Sequence, residues 1–182
     1  MAALRPSISI LAAMLAAGCG GSHEPRRVPD DGAPCSVLMP GDARSSEDSV
    51  RIGSGSATER AWTLRHPHPG VDPPTDFTTY VVRRGAVPPD TALRDAALLD
   101  AAASRVARGI ALQEGTTPKV EKVPTPAGEA AEVRWTTGRF HNATRLLLAP
   151  GGYCEVTILG ARAEADVSAY FDSAQVGPGA TP

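Results

Sequence analysis

Short stretches of this chain alternate in side-chain character with a period of two, and one long segment in their midst does not. Cys35–Met39, Glu59–Arg65, Asp76–Arg84, Glu129–Thr137 and Tyr153–Leu159 are each short and bounded by Gly, Pro or charged residues, the pattern of β-strands. Between Asp90 or Thr91 and Arg108, by contrast, Ala92, Ala96, Leu99, Ala103, Val106 and Ile110 recur every three or four residues. Leu93 and Ala107 widen that stripe, which predicts a helix with one apolar face. Asp90 or Thr91 supplies its cap and Gly109 its stop. Strands on both sides of a single amphipathic helix require a mixed α/β fold, and the many alanines predict close packing of the helix on a sheet.

The connections point to antiparallel pairing. Lys119–Val123 and Glu129–Thr137 flank Pro124–Gly128, and Thr144–Ala149 and Tyr153–Leu159 flank Pro150-Gly151-Gly152, so each pair reads as a hairpin. Pro124 and Pro126 place the first hairpin near a sheet edge, because proline cannot donate to a ladder. In Asp76–Arg84 both faces carry strand formers, Phe77, Thr79 and Val81 on one and Thr78, Tyr80 and Val82 on the other, which predicts a central strand covered on both sides. Ser49–Ile52 is a short strand before the Gly53–Ser56 turn. Glu164–Asp172 reads as a second helix, Ser173–Val176 as a last short strand, and Gly177–Pro182 as a disordered tail.

The N-terminus speaks about address. Arg5 supplies a positive start, Ile8–Ala17 is apolar apart from Ser9, and small residues at Ala16, Ala17 and Gly18 precede Cys19. The apolar run is too short to span a bilayer as a mature helix and fits an export signal over residues 1–18. An ordinary signal cut near Gly18 or Gly21 fits these residues too. With Leu15 and the small residues before the cysteine, the stretch resembles the lipobox of bacterial lipoproteins. That resemblance implies cleavage after Gly18, lipidation of Cys19 and stable anchoring by its acyl chains. Gly20, where inner-membrane retention uses Asp, implies the outer membrane. The expected location is the cell envelope, facing the periplasm or the cell surface.

Residues 19–34, rich in Gly, Pro and charge, read as a flexible tether, so the domain is expected to span residues 35–176. The net charge of −2 excludes a nucleic-acid footprint. Of three cysteines, lipidation of Cys19 leaves Cys35 and Cys154, an even number in an oxidising compartment, and a disulfide between them is predicted. Two buried free thiols are the alternative.

The opening Cys35-Ser36-Val37-Leu38-Met39-Pro40-Gly41, a middle helix, two hairpins, Tyr153 through Leu159-Gly160, and the closing Tyr170-Phe171-Asp172-Ser173-Ala174 together resemble the PsbP-like family, which includes the DcrB-type bacterial lipoproteins. Cys35 stands where the family has an aromatic residue, and Ala174 where it has Phe. The resemblance implies an α/β/α sandwich with a mainly antiparallel sheet and two principal helices. It carries over no catalytic residue, and implies a binding, assembly or chaperone-like module.

Chemistry-bearing motifs are sparse. His66-Pro67-His68 with Asp72 and Asp76 is the best metal candidate, since alternating imidazoles can face one ion. It supports only an alternative reading as a small metal-dependent hydrolase. His141-Asn142 lacks an acid and serine partner, no Gly-x-Ser-x-Gly occurs, and the cysteines lack Cys-x-x-Cys spacing. No catalytic residue, metal site or cofactor is expected. The reading favoured is a non-enzymatic lipoprotein anchored to a membrane at Cys19 that binds an envelope protein. A chaperone-like binder of apolar client segments is a further alternative.

Overall fold

A computed structural model describes residues 24–29, 35–52, 55–68, 76–86, 95–149 and 152–177. Residues 1–18, read from the sequence as an export signal, Cys19 and residues 178–182 lie outside the described residues. In chain order the elements are β1 (Arg26–Val28), β2 (Cys35–Met39), β3 (Arg44–Ile52), β4 (Gly55–Pro67), β5 (Phe77–Ala86), α1 (Asp95–Glu114), β6 (Lys119–Thr125), β7 (Gly128–Thr137), β8 (Phe140–Ala149), β9 (Gly152–Ala161), α2 (Glu164–Asp172) and β10 (Gln175–Val176). Seven strands form one sheet in the order β3-β4-β5-β9-β8-β7-β6, with each neighbouring pair antiparallel. A second sheet has the order β1-β2-β10.

The alternation in β9 shows how the layers form. Cys154, Val156 and Ile158 point to one face of the large sheet, where they pack with Cys35, Val37 and Met39 of β2 and with Val167, Tyr170 and Phe171 of α2. Tyr153 points to the other face, where Leu99, Ala102, Ala103 and Ile110 of α1 pack on Ala131, Val133, Trp135 and Leu146. A helix on each side of a mainly antiparallel sheet is the expected α/β/α sandwich. Both predicted hairpins are present, and β6 with Pro124 is an edge strand.

Four expectations are corrected. Order does not wait for Cys35: Arg26, Arg27 and Val28 pair with Met39, Leu38 and Val37, inside the stretch read as tether. Val28 packs against the core, and Arg27 donates to the Ser36 hydroxyl (3.2 Å) and to the Ser173 carbonyl (3.1 Å). These contacts offset the ordering cost of a polar segment. The second correction is α1, which runs through Gly109 to Glu114. Glycine inside a helix costs about 1 kcal/mol relative to alanine, and burial of Ile110 offsets it. Gly115, at φ 66, is the true stop. The expected cap at Asp90 or Thr91 lies outside the described residues.

Third, β3 begins at Arg44 rather than Ser49 and pairs with β4 from Arg44↔Thr63 to Ile52↔Gly55. Ser45, Ser46, Glu47 and Asp48 are exposed, so their polarity mimics a loop, yet it suits an edge strand that must resist further pairing. Fourth, β5 is central but unevenly covered. Val82 is fully buried beneath α2 and β2, whereas Thr79, Val81 and Arg83 on the opposite face are half-buried, because α1 lies against β6, β7 and β8.

Candidate functional site

Cys35 and Cys154 form a disulfide, with Cα atoms 6.1 Å apart and a sequence separation of 119. Both are buried in the α2-side core. The bond fixes the small sheet onto β9, so the cysteines predicted to pair do meet.

The predicted metal candidates do not converge. His66 is exposed, while His68 is buried with both ring nitrogens engaged. Arg162 Nε donates to His68 Nδ1 (3.0 Å), which leaves Nε2–H to donate to Thr78 Oγ1 (2.8 Å). Thr78 in turn donates to the Gly160 carbonyl (3.3 Å). Gly160 sits at φ 74, and a Cβ there would lie 2.4 Å from the Phe77 carbonyl oxygen, so only glycine fits this crossing. Asp76 is paired with Arg139 (2.7 Å), and Asp72 lies outside the described residues. His141 Nδ1 is 3.2 Å from Glu164. Asn142 braces the same region, its amide donating to Thr137 (3.1 Å) and its oxygen accepting from the Gly160 N–H (2.8 Å). This constellation locks strand ends together. Among the described residues no group of three His, Cys, Asp or Glu side chains is placed to hold a metal.

Two ionic clusters were not found from the sequence. On the α1 face, cross-strand register puts Glu59, Gly85 and Tyr153 in one row and Arg83 and Glu155 in the next. The Tyr153 ring lies over Gly85, and its hydroxyl donates to Glu59 and accepts from Arg105 of α1 (2.9 Å). Arg83 reaches Glu155 (2.7 Å) and Glu59 (3.7 Å). Burial, then the bond to Glu59, pushes the Tyr153 phenol up to about 12. Burial also raises Glu155 above the usual carboxylate range, against the pull of Arg83. On the α2 face, Glu132 is buried between Arg134 (2.6 Å) and Arg145 (2.7 Å), and Arg145 also donates to the Phe171 carbonyl (3.1 Å) while lying 4.6 Å from the Phe171 ring centroid.

The clue to both clusters was a carboxylate within a strand whose two faces both carry core residues: Glu155 among Tyr153 and Thr157, and Glu132, which shares its face with Ala130. Their acids and bases neutralise one another, which suits them to positioning elements.

An open concavity on the α2 side is a groove of about 680 Å³ between the β6–β7 turn and the chain after α2. Pro124, Pro126, Ala127, Leu147, Ala174 and Val176 give it apolar walls, and Thr125, Arg145, Asp172 and Gln175 polar ones. Such a shape receives a small apolar group or a peptide segment.

No family model matches the chain, and a search of curated proteins finds no match. Among solved structures the chain is similar to the solution structure of cyanobacterial PsbP (CyanoP) from Synechocystis sp. PCC 6803, at 10% identity and a TM-score of 0.46, covering 90% of this chain and 99% of that one.

Proposed function

We propose that this chain is a bacterial envelope lipoprotein of the PsbP-like, DcrB type, anchored through acyl chains on Cys19, whose domain is a non-catalytic binding module for an envelope protein. The use of its cysteines carries the reading. Cys35 and Cys154 are joined in the core, which suits an oxidising compartment, and Cys19 is the chain's remaining cysteine, placed at the end of a short apolar leader. The opening and closing motifs, around Pro40-Gly41 and Tyr170–Ser173, support the family. Gly20 supports the outer membrane. Cys19→Ser is expected to move the protein from the membrane pellet to the soluble envelope fraction and to abolish palmitate incorporation; continued sedimentation with membranes would overturn the anchor.

The apolar groove favours a second reading, a chaperone-like binder of apolar client segments. A photocrosslinker at exposed Ala127 on the groove's lip separates the two. A single folded partner supports the first reading, and many unfolded clients support the second. The metal-dependent hydrolase alternative loses support because Arg162 and Thr78 occupy both nitrogens of His68.

A further inference from the structure

We propose that the end of the large sheet at which the N-terminus enters rests on the headgroups of anionic phospholipid, holding the domain against its membrane rather than above it. This rests on the lipoprotein reading. The argument starts from the corrected beginning of order. Cys19 precedes Arg26 by seven residues, a run that spans at most roughly 25 Å, against roughly 55 Å for a run to Cys35. Whatever surrounds Arg26 therefore stays close to the bilayer.

Arg26 pairs with Met39, and its guanidinium reaches Asp42 (3.1 Å), two residues before β3 opens at Arg44. Arg44 stands opposite Thr63, toward the Pro67 end of β4. Pro67 pairs with Phe77, and the same end of the sheet carries the start of β8, the end of β9 and the start of α2. On this rim Asp42, Asp76 and Glu164 are held by Arg26, Arg139 and Arg134. Glu24 is exposed beside Arg26, and toward the β7 side of the rim Asp166 in the first turn of α2 and Glu114, which accepts from Thr137, are exposed carboxylates as well. Arg44, Arg65 and Arg162 are exposed and have no carboxylate partner among the described residues.

The aromatic content of the rim completes the chemistry. The Arg65 guanidinium lies 4.3 Å from the centroid of half-buried Phe77, and that of Arg139 lies 5.2 Å from half-buried Phe140. An apolar ring under a cationic tip suits the headgroup level of a bilayer, where the ring meets the acyl boundary and the charge meets phosphate. The chain as a whole is acidic, at −2, and the exposed carboxylates of the rim lie toward β1, β7 and α2, so the attraction is local to its β3–β4 part, where Arg44 and Arg65 share a face beside Phe77.

The test uses the full-length lipidated protein reconstituted into vesicles of phosphatidylcholine alone or of phosphatidylcholine with phosphatidylglycerol. Amide hydrogen exchange is followed across the chain. At the rim, around Phe77 and around Phe140, exchange should slow by up to about thirtyfold on the anionic vesicles, the scale of two arginines near a charged surface. High salt should remove the effect. The β6–β7 turn, at the opposite end of the sheet, should exchange equally on both vesicles. Arg44→Glu with Arg65→Glu should abolish the rim protection while leaving exchange in α1 unchanged, which shows the variant is folded. Equal rim exchange on both vesicles, with the wild-type protein floating on each, overturns the docking surface and leaves the anchor intact. Failure to float on either overturns the lipoprotein reading itself.

Discussion

The two faces of the large sheet are closed by different means. On the α2 side the sheet meets a second sheet and a helix through large side chains, with Phe171, Met39, Ile158, Val82, Val156 and Val37 all fully buried around a disulfide. On the α1 side the helix offers mostly alanines with the buried Leu99, and the sheet answers with Val133, Trp135 and Leu146 and, beside them, with the polar group of Tyr153, Glu59, Arg83 and Glu155. One face is closed by covalent linkage and aliphatic packing. The other is closed by a thin apolar seam and a charged network through which Arg105 reaches the strands. Each face holds a buried carboxylate among arginines, Glu132 on the α2 side and Glu155 on the α1 side, but the covalent bond belongs to one and the tyrosine-centred network that reaches a helix to the other.

The disulfide is the sharpest way to break that difference. It closes a loop with a sequence separation of 119 residues, for which the chain-entropy argument assigns up to about 5 kcal/mol. Replacing both cysteines by Ala should lower the urea midpoint by a corresponding amount and should loosen β1, β2 and β10 before α1, as read by hydrogen exchange. Equal loosening on both faces would mean that the bond stabilises the unfolded-state balance alone and leaves the two faces indistinguishable.

The α2 side was largely legible in the sequence because its information is periodic. Cys35, Val37 and Met39 share a face, as do Cys154, Val156 and Ile158; the disulfide predicted from the cysteine count requires those two faces to meet, and they do. What escaped was set by tertiary contact. Arg26–Val28 has the composition of a tether and becomes a strand only because β2 presents an edge to it. Ser45–Asp48 is polar throughout and becomes a strand because β4 runs long beside it. Gly109 is a helix stop by propensity, yet Ile110 beyond it finds a buried site. The network around Tyr153 was hidden for a different reason: its members come from β4, β5, α1 and β9, and no local spacing encodes their meeting.

Gly85 is the next position to probe. A Cβ there would lie 2.5 Å from the Tyr153 ring, which must then leave its place over β5. Gly85→Ala should cost about 1–3 kcal/mol by overpacking. In a Tyr153→Ala background the same substitution should cost far less, since the clash has gone. A double-mutant cycle with no coupling would show that Gly85 serves the backbone and not the ring.

Tyr153→Phe gives the smallest effect and the most specific one. At neutral pH it removes the donor to Glu59 and the acceptor for Arg105, a loss of about 1–2 kcal/mol. In the folded protein the phenol titrates near 12 rather than 10. Between those values the unfolded chain has released a proton that the folded chain still holds, so the unfolded state binds fewer protons and stability falls as pH rises. The fall reaches roughly 2–3 kcal/mol by the upper value. Tyr80 and Tyr170, on the other face, are also raised by burial, so the wild-type slope contains their contributions. The difference between wild type and Tyr153→Phe isolates the α1 side. Urea midpoints measured across pH 9 to 12 should converge as the alkaline limit is approached, because the variant has no such proton to lose. Coincident curves at every pH would place the tyrosine's value in the packing of its ring, which Phe keeps, and assign the charged network no part in holding the helix.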